Sequence, residues 1–413
     1  MSRKIIILSD DFPPKSGGGA AIIASIHASA MVLANYETIV ITTVEDRAKV
    51  GEFVENGIKI IRLYSKYNPR FRSILALYNP LILSKIKEIL KREKPDIVHV
   101  HNIHYHISYH SLSIAKRYSK TLFMTIHDSM PFHYSKLFPK FPYETQIKSY
   151  KVSLLSQLKD FRFRFNPFKN IIIRYYLLLP NKIFAVSGAL KNALLDNGIK
   201  NVEVINNGID LEKWKIDQKD VEEFKKEYSL FDKKVILFCG RLSRAKGGEV
   251  LVRNMPSIIK EIPNAVILIV GDKDNTALEM LKQAQNLGIE QSLVFTGKLS
   301  GNSLLRAYGA SDLAVVASLC FDWFPTVNLE SMAMKLPVVA TCFGGSSEII
   351  ADEINGYIIN PYNEDELIGR IIDILGDDEK AKRFGEAGYE RLKSEFGLDK
   401  YIQKTIFWYN KFL

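Results

Sequence analysis

At 413 residues, 47% apolar and 25% charged, the chain has the balance of a soluble globular protein and is too long for one core of ordinary size, so two domains are expected. Three widely spaced cysteines, Cys239, Cys320 and Cys342, argue against a disulfide framework or a zinc site and fit a reducing compartment. The net charge of +10 is uneven: residues 1–190 carry 28 Lys+Arg against 13 Asp+Glu, and residues 191–413 carry 28 against 33, as expected of two domains with different partners.

The opening MSRKIIILSDD has a basic start and only a short apolar run before two acids, the pattern of a buried strand and not of a signal peptide. No stretch approaches the ~18 apolar residues of a spanning helix, and a cytoplasmic location is expected. Strand-like runs follow at 4–8, 37–43, 58–63, 96–101, 121–127, 182–187 and 202–207, with amphipathic segments such as LILSKIKEILKREK (81–94) between them. The pattern restarts at KVILFCG (234–240) and continues at 265–271, 292–297, 313–318, 337–342 and 356–360, with helical stretches such as DELIGRIIDILG (365–376). Strands alternating with helices predict α/β architecture with mostly parallel sheets, here two doubly wound units joined near Gly208 to Asp220. Ligands of such sheets bind beyond the carboxyl ends of the strands, so the loops there should carry the chemistry.

In chain order, the first such loop is DDFPPKSGGGAA. Gly17, Gly18 and Gly19 would let backbone N–H groups and a helix N-terminus face an anion, although the loop lacks the G-x-G-x-x-G of a dinucleotide fingerprint. His99 and His101 alternate along DIVHVH and share one face, and His104, His106 and His110 follow. No cysteine or close carboxylate completes a metal-ligand spacing, so no metal is expected, and packing is expected of His99 and His101. His127 and Asp128 end the strand TLFMTIH, where catalytic groups belong. Residues 140–182 hold nine basic residues (Lys140, Lys148, Lys151, Lys159, Arg162, Arg164, Lys169, Arg174, Lys182) against Glu144 and Asp160, interleaved with aromatics. This segment reads as a face for an anionic membrane surface or as an ordinary solvated helix face, and with no recognised binding module nucleic acid is not expected.

After KVILFCG comes RLSRAKGG. The guanidinium fork of Arg241 and the compact charge of Lys246, in a loop opened by Gly240, Gly247 and Gly248, could grip a diphosphate; an ordinary basic loop has the same residues. CFDWFPTVNLES (320–331) places Asp322 and Glu330 at the ends of an apolar stretch. A helix starting near Thr326 would set its free amides just after Asp322 and Glu330 about a turn further in. Bare spacing does not separate a ligand-binding pair from a helix cap and a lysine partner.

GRLSRAK, DWFPTVNLESMAMKLPVVAT, GGSSEII and VINNGID, with PPKSGGGA, DIVHVHN, TIHD and FAVS upstream, resemble glycosyltransferase family 4, the retaining group 1 enzymes of the GT-B fold, over nearly the whole chain. The resemblance implies two Rossmann-like domains facing across a cleft: residues 1–207 on the acceptor side, 208–395 on the donor side, and a final helix in 396–413 that crosses back onto the first domain. It implies transfer from a nucleoside-diphosphate sugar to a saccharide or lipid-linked acceptor, in polysaccharide or glycolipid assembly, with no cofactor and no metal. By position, Arg241 and Lys246 would hold the diphosphate, Glu330 the ribose, and Asp322, Phe324, Thr326 and Val327 the donor sugar. His127 would face the sugar, and Gly18 and Gly19 the phosphates and acceptor. The family's usual first acid is glutamate. Asp322 is one methylene shorter, which sets its carboxylate about 1.5 Å further back and predicts altered sugar recognition. A sugar-nucleotide-binding protein without activity and a nicotinamide-dependent oxidoreductase are the alternatives.

Overall fold

The computed structural model describes residues 3–14, 18–161 and 166–413. The chain divides into two compact units: residues 1–136, 148–208 and 398–413 form the first, and residues 137–147 and 209–397 the second. The 396–413 stretch thus contributes its helix, Leu398–Phe412, to the first unit. Leu137–Ile147, which lies within the sequence-based first domain, groups with the second.

The first unit is built on eight strands: β1 (Lys4–Leu8), β2 (Glu37–Val44), β3 (Gly51–Glu55), β4 (Ile58–Tyr64), β5 (Ile97–Val100), β6 (Thr121–Ile126), β7 (Lys182–Ala185) and β8 (Val202–Val204), in the order β3-β4-β2-β1-β5-β6-β7-β8. All neighbours are parallel except β3 against β4. Helices cover the parallel strands, so β1 is apolar on both faces and Ile5, Ile6, Ile7 and Leu8 are fully buried. The β3–β4 hairpin was not expected. Its turn is Asn56-Gly57, both at positive φ (49° and 77°), the conformation that a tight two-residue hairpin requires.

The second unit has six parallel strands: β9 (Lys234–Cys239), β10 (Ala265–Val270), β11 (Leu293–Gly297), β12 (Leu313–Val316), β13 (Val338–Thr341) and β14 (Gly356–Ile359), ordered β11-β10-β9-β12-β13-β14. The chain runs outward from β9 to one edge, then returns to β12 and runs to the other. The point where this order reverses lies between β9 and β12, the position at which sheets of this kind bind ligands. In the first unit the corresponding reversal lies between β1 and β5.

Candidate active site

The loops after β9 and β12 meet at the reversal point of the second sheet. Beyond Gly240, Arg241 is exposed and Arg244–Lys246 form one tight turn. Gly247 follows at φ +78°, and a Cβ there would lie 1.9 Å from the Ala317 carbonyl oxygen, so only glycine lets this loop lie against the end of β12. The Leu319 N–H donates to the Ala245 carbonyl at 2.9 Å and ties the two loops together. This closeness brings Lys246 to Asp322. Their side chains form an ion pair, and the Ser318 hydroxyl donates to the same Asp322 oxygen at 3.0 Å. Burial alone would lower the Lys246 pKa; the adjacent Asp322 carboxylate outweighs it and the net shift is upward, with Arg241 close enough to oppose it.

The main chain of Asp322 is held as firmly as its side chain. Its N–H donates to the Phe343 carbonyl at 3.1 Å, and its carbonyl accepts from the Gly345 N–H at 2.8 Å. Gly344 sits at φ +105°, where a Cβ would fall 2.0 Å from the Asp322 carbonyl oxygen. The apolar residues flanking the acid form wall: Phe321, Trp323 and Phe324 are buried, and Phe321 stacks on Trp323 with centroids 5.5 Å apart.

The next helix runs Thr326–Ala333 with Pro325 at its N-cap, and its first turn has N–H groups without intrahelical acceptors. Thr326, Val327 and Glu330 keep partial exposure. Glu330 has its own clamp, accepting from the Tyr308 hydroxyl at 2.5 Å and from the Thr326 side chain. Burial raises the Glu330 pKa and these two hydrogen bonds oppose the rise. Tyr308, fully buried on the Asn302–Gly309 helix, is a positioning residue that sequence reasoning missed. Its helix is ordinary in sequence, and only the fold brings it to Glu330.

In the first unit, Gly18 (φ +142°) caps the Gly19–Leu33 helix, and a Cβ at Gly19 would meet nothing within 4 Å. Gly17 lies outside the described residues. Asp10, at the end of β1, was overlooked although it stands in the acid pair after the first strand. Its buried carboxylate accepts three N–H bonds, from Tyr105 (2.7 Å), His106 (2.9 Å) and Ile107 (2.7 Å). Burial nonetheless pushes its pKa up to about 7, against those bonds. It thereby fixes the loop after β5.

His127 ends β6, partly exposed, with Nε2 2.8 Å from Nδ1 of His101. Burial lowers its pKa to about 4, opposed by Asp128. His99 and His101 are buried, as expected, but they do more than pack. With His27, which sequence reasoning did not consider, they offer ligand atoms within 4.8 Å of one another, a set that could hold a metal ion. All six of their ring nitrogens are already engaged in hydrogen bonds within the protein.

The basic segment is only partly a surface. Lys169 is 3% exposed, with its ammonium 3.7 Å from the Tyr134 ring centroid, so it does not belong to a charged face. Burial lowers its pKa to about 7. Lys151, Lys159 and Arg174 are exposed, together with Leu155, Leu158, Phe168, Ile171 and Leu178, while Arg162 and Arg164 lie outside the described residues. No helix among the described residues is long and apolar enough to cross a membrane.

A family model described as Glycosyltransferase Family 4 matches residues 17–213, and one described as Glycosyl transferases group 1 matches residues 220–391. Spore coat protein SA of Bacillus subtilis is 31% identical over 220 residues, 51% of this chain and 58% of its own length. An uncharacterized glycosyltransferase of Methanocaldococcus jannaschii is 29% identical over 383 residues, 91% of this chain and 89% of its own. Among solved structures, sucrose-phosphate synthase from Thermosynechococcus elongatus superposes with a TM-score of 0.78 at 19% identity, covering 99% of this chain and 98% of that one. Anabaena HepE in complex with UDP and glucose gives 0.73 at 18% identity, covering 98% of each chain. These structural likenesses identify the fold as GT-B, with two Rossmann-like units. With both halves matched by models of one enzyme group, the chain belongs to the group 1, family 4 glycosyltransferases.

Proposed function

We propose that the protein is a retaining glycosyltransferase that moves a sugar from a nucleoside-diphosphate sugar to a hydroxyl acceptor. The observation that carries this reading is the loop pair at the β9/β12 reversal point, where Lys246 pairs with Asp322, Arg241 stands close enough to act on Lys246, and the Thr326–Ala333 helix brings Glu330. Two cations on a glycine-flanked loop suit a diphosphate, and a half-buried carboxylate oriented by Tyr308 and Thr326 suits ribose hydroxyls. UDP and glucose in the HepE complex make a uridine nucleotide the first donor to try.

In the reaction, the bond from the anomeric carbon to the diphosphate oxygen breaks, and the acceptor oxygen bonds to that carbon from the same face. The acceptor proton passes to the departing phosphate oxygen. Arg241 and Lys246 offset the charge that builds on the diphosphate, which is the largest demand of such a step, and the reading assigns that work to these two side chains with no metal ion. Asp322, Phe324, Thr326 and Val327 read the donor sugar, with His127 as a further contact, and Gly18 and Gly19 admit the phosphates and acceptor closely.

The exposed apolar residues Leu155, Leu158, Phe168, Ile171 and Leu178, beside Lys151, Lys159 and Arg174, support attachment to an anionic membrane surface and a lipid-linked acceptor in glycolipid or polysaccharide assembly. Co-sedimentation with anionic vesicles and not with neutral ones is expected; equal pelleting with both refutes the electrostatic attachment.

A thermal-shift panel of UDP-, GDP- and ADP-sugars against NAD(P) tests the donor class. Stabilisation by one family of sugar nucleotides, followed by product with the donor's anomeric configuration, is expected. A shift with NAD(P) alone, or an inverted product, overturns the reading. Donor binding without transfer to any hydroxyl acceptor would mark a sugar-nucleotide-binding protein instead.

A further inference from the structure

Five side chains link His127 to the interior of the first unit. Nε2 of His127 lies 2.8 Å from Nδ1 of His101, and Nε2 of His101 lies 2.7 Å from Nδ1 of His27. Nε2 of His27 is 2.9 Å from the Tyr409 hydroxyl, which is 2.6 Å from Nδ1 of His99, and Nε2 of His99 is 2.7 Å from the Thr125 hydroxyl. His27, His99, His101 and Tyr409 are at most 1% exposed. A neutral imidazole has one donor and one acceptor nitrogen, and a phenol has one proton. Every histidine between the ends uses both nitrogens, and a Tyr409 oxygen accepting from both neighbours would leave a buried phenol proton unpaired, so the protons take one of two orders, all donating toward His127 or all away from it.

The far end decides between them. Among the described residues, the Thr125 hydroxyl has one hydrogen-bond partner, Nε2 of His99. It donates there, since leaving a buried hydroxyl proton unpaired would cost about 1–3 kcal/mol. His99 then carries its proton on Nδ1 and donates to Tyr409, Tyr409 donates to His27, His27 to His101, and His101 to Nε2 of His127. His127 is left with its proton on Nδ1, a nitrogen with no hydrogen-bond partner among the described residues. Burial keeps the row neutral: His27 falls to about 3, His127 to about 4, and His99 and His101 well below the ordinary value.

We propose that His101, His27, Tyr409, His99 and Thr125 are positioning residues that lock His127 as the Nδ1–H tautomer, so that it offers a ligand a hydrogen-bond donor and not a base. The functional part rests on reading His127 as a sugar contact; the tautomer order does not.

The test is a long-range proton–nitrogen correlation spectrum of the full chain labelled with 15N-histidine at pH 7.5. His127, His101, His27 and His99 are each expected as the Nδ1–H form. Thr125→Val removes the hydroxyl that sets the order while keeping the side-chain shape, and Tyr409→Phe breaks the row in the middle. In either variant that keeps the wild-type circular dichroism, a second His127 signal from the Nε2–H form should appear. If the two forms become equal, the competent fraction halves and ligand-dependent properties of His127 weaken ~2-fold. An Nε2–H His127 in the wild type overturns the proposal, as does a single Nδ1–H signal retained in both variants, or zinc binding at one equivalent that displaces these protons. Saturating UDP-glucose should shift the His127 Nδ1 signal. If thermal shift reports binding and that signal does not move, the sugar contact fails and the proton order stands.

Discussion

Replacing Asp322 with asparagine separates its two neighbours' demands. The change keeps the side-chain shape and removes one negative charge beside Lys246. A bound diphosphate oxygen would touch the Lys246 ammonium at about 2.8 Å, which sets the phosphate charge about 5 Å from the Asp322 carboxylate. At that separation and an effective dielectric constant of ~20, each phosphate charge is repelled by about 3 kcal/mol. The Asp322 and Lys246 side chains keep 15% and 30% exposure, so water and salt screen part of this. About 1–2 kcal/mol remains, equivalent to ~5–30-fold in affinity. Isothermal titration with UDP at pH 7 should therefore show tighter binding to Asp322→Asn than to the wild type, with the gain shrinking as salt rises. Transfer should fall, because the carboxylate proposed to read the donor sugar is gone. Unchanged or weaker UDP binding would refute the reasoning, since the diphosphate would then not sit at Lys246.

Other outcomes follow from the same geometry. Asp322→Glu extends the acid from a main chain clamped by Phe343, Gly344 and Gly345, so donor preference should change; identical preference and turnover would remove Asp322 from sugar recognition. Gly344→Ala should cost ~2 kcal/mol or more through the backbone clash with Asp322 and weaken UDP binding with it, measured by urea melts and titration. Tyr308→Phe frees Glu330 from one of its two clamps, and UDP affinity should drop several-fold while a ribose-free control such as pyrophosphate is unaffected. Lys169 has its folded pKa lowered to about 7 by burial, and the unfolded chain takes up the proton at any pH below ~10.5. Stability should rise between pH 7 and 10.5, and Lys169→Met should be stabilising by up to ~4 kcal/mol at pH 6 and neutral at pH 10.5. A flat difference between the two proteins across that range would contradict it.

Strand runs were legible because parallel strands covered on both faces must be apolar throughout, as KIIIL and AVILIV are. β3 was not, because GEFVE is almost entirely exposed and carries no buried pattern. The Asn56-Gly57 pair before β4 was the available signal. At the candidate site, Arg241, Lys246, Asp322 and Glu330 could be singled out since they stand in loops after strands or on the helix that follows. The Lys246–Asp322 pairing was not, because it depends on β9 and β12 being neighbours although 76 positions separate the two side chains. His27 sits in ASIHASA, a small-residue helix whose single histidine looks incidental, and Tyr409 lies 382 positions away from it. Sequence periodicity reports faces of single elements; these partners exist only once distant elements share a core.

The placement of Tyr409 sets an order of events during synthesis. The helix that carries it leaves the ribosome after the entire second unit, yet its hydroxyl closes the gap between His27 and His99 in the first. Until then two ring nitrogens in that interior have no partner, a condition that costs about 1–3 kcal/mol for each buried group left unmet. The first unit is therefore begun before the second and completed only after it, and its histidine row closes once the second unit has been translated.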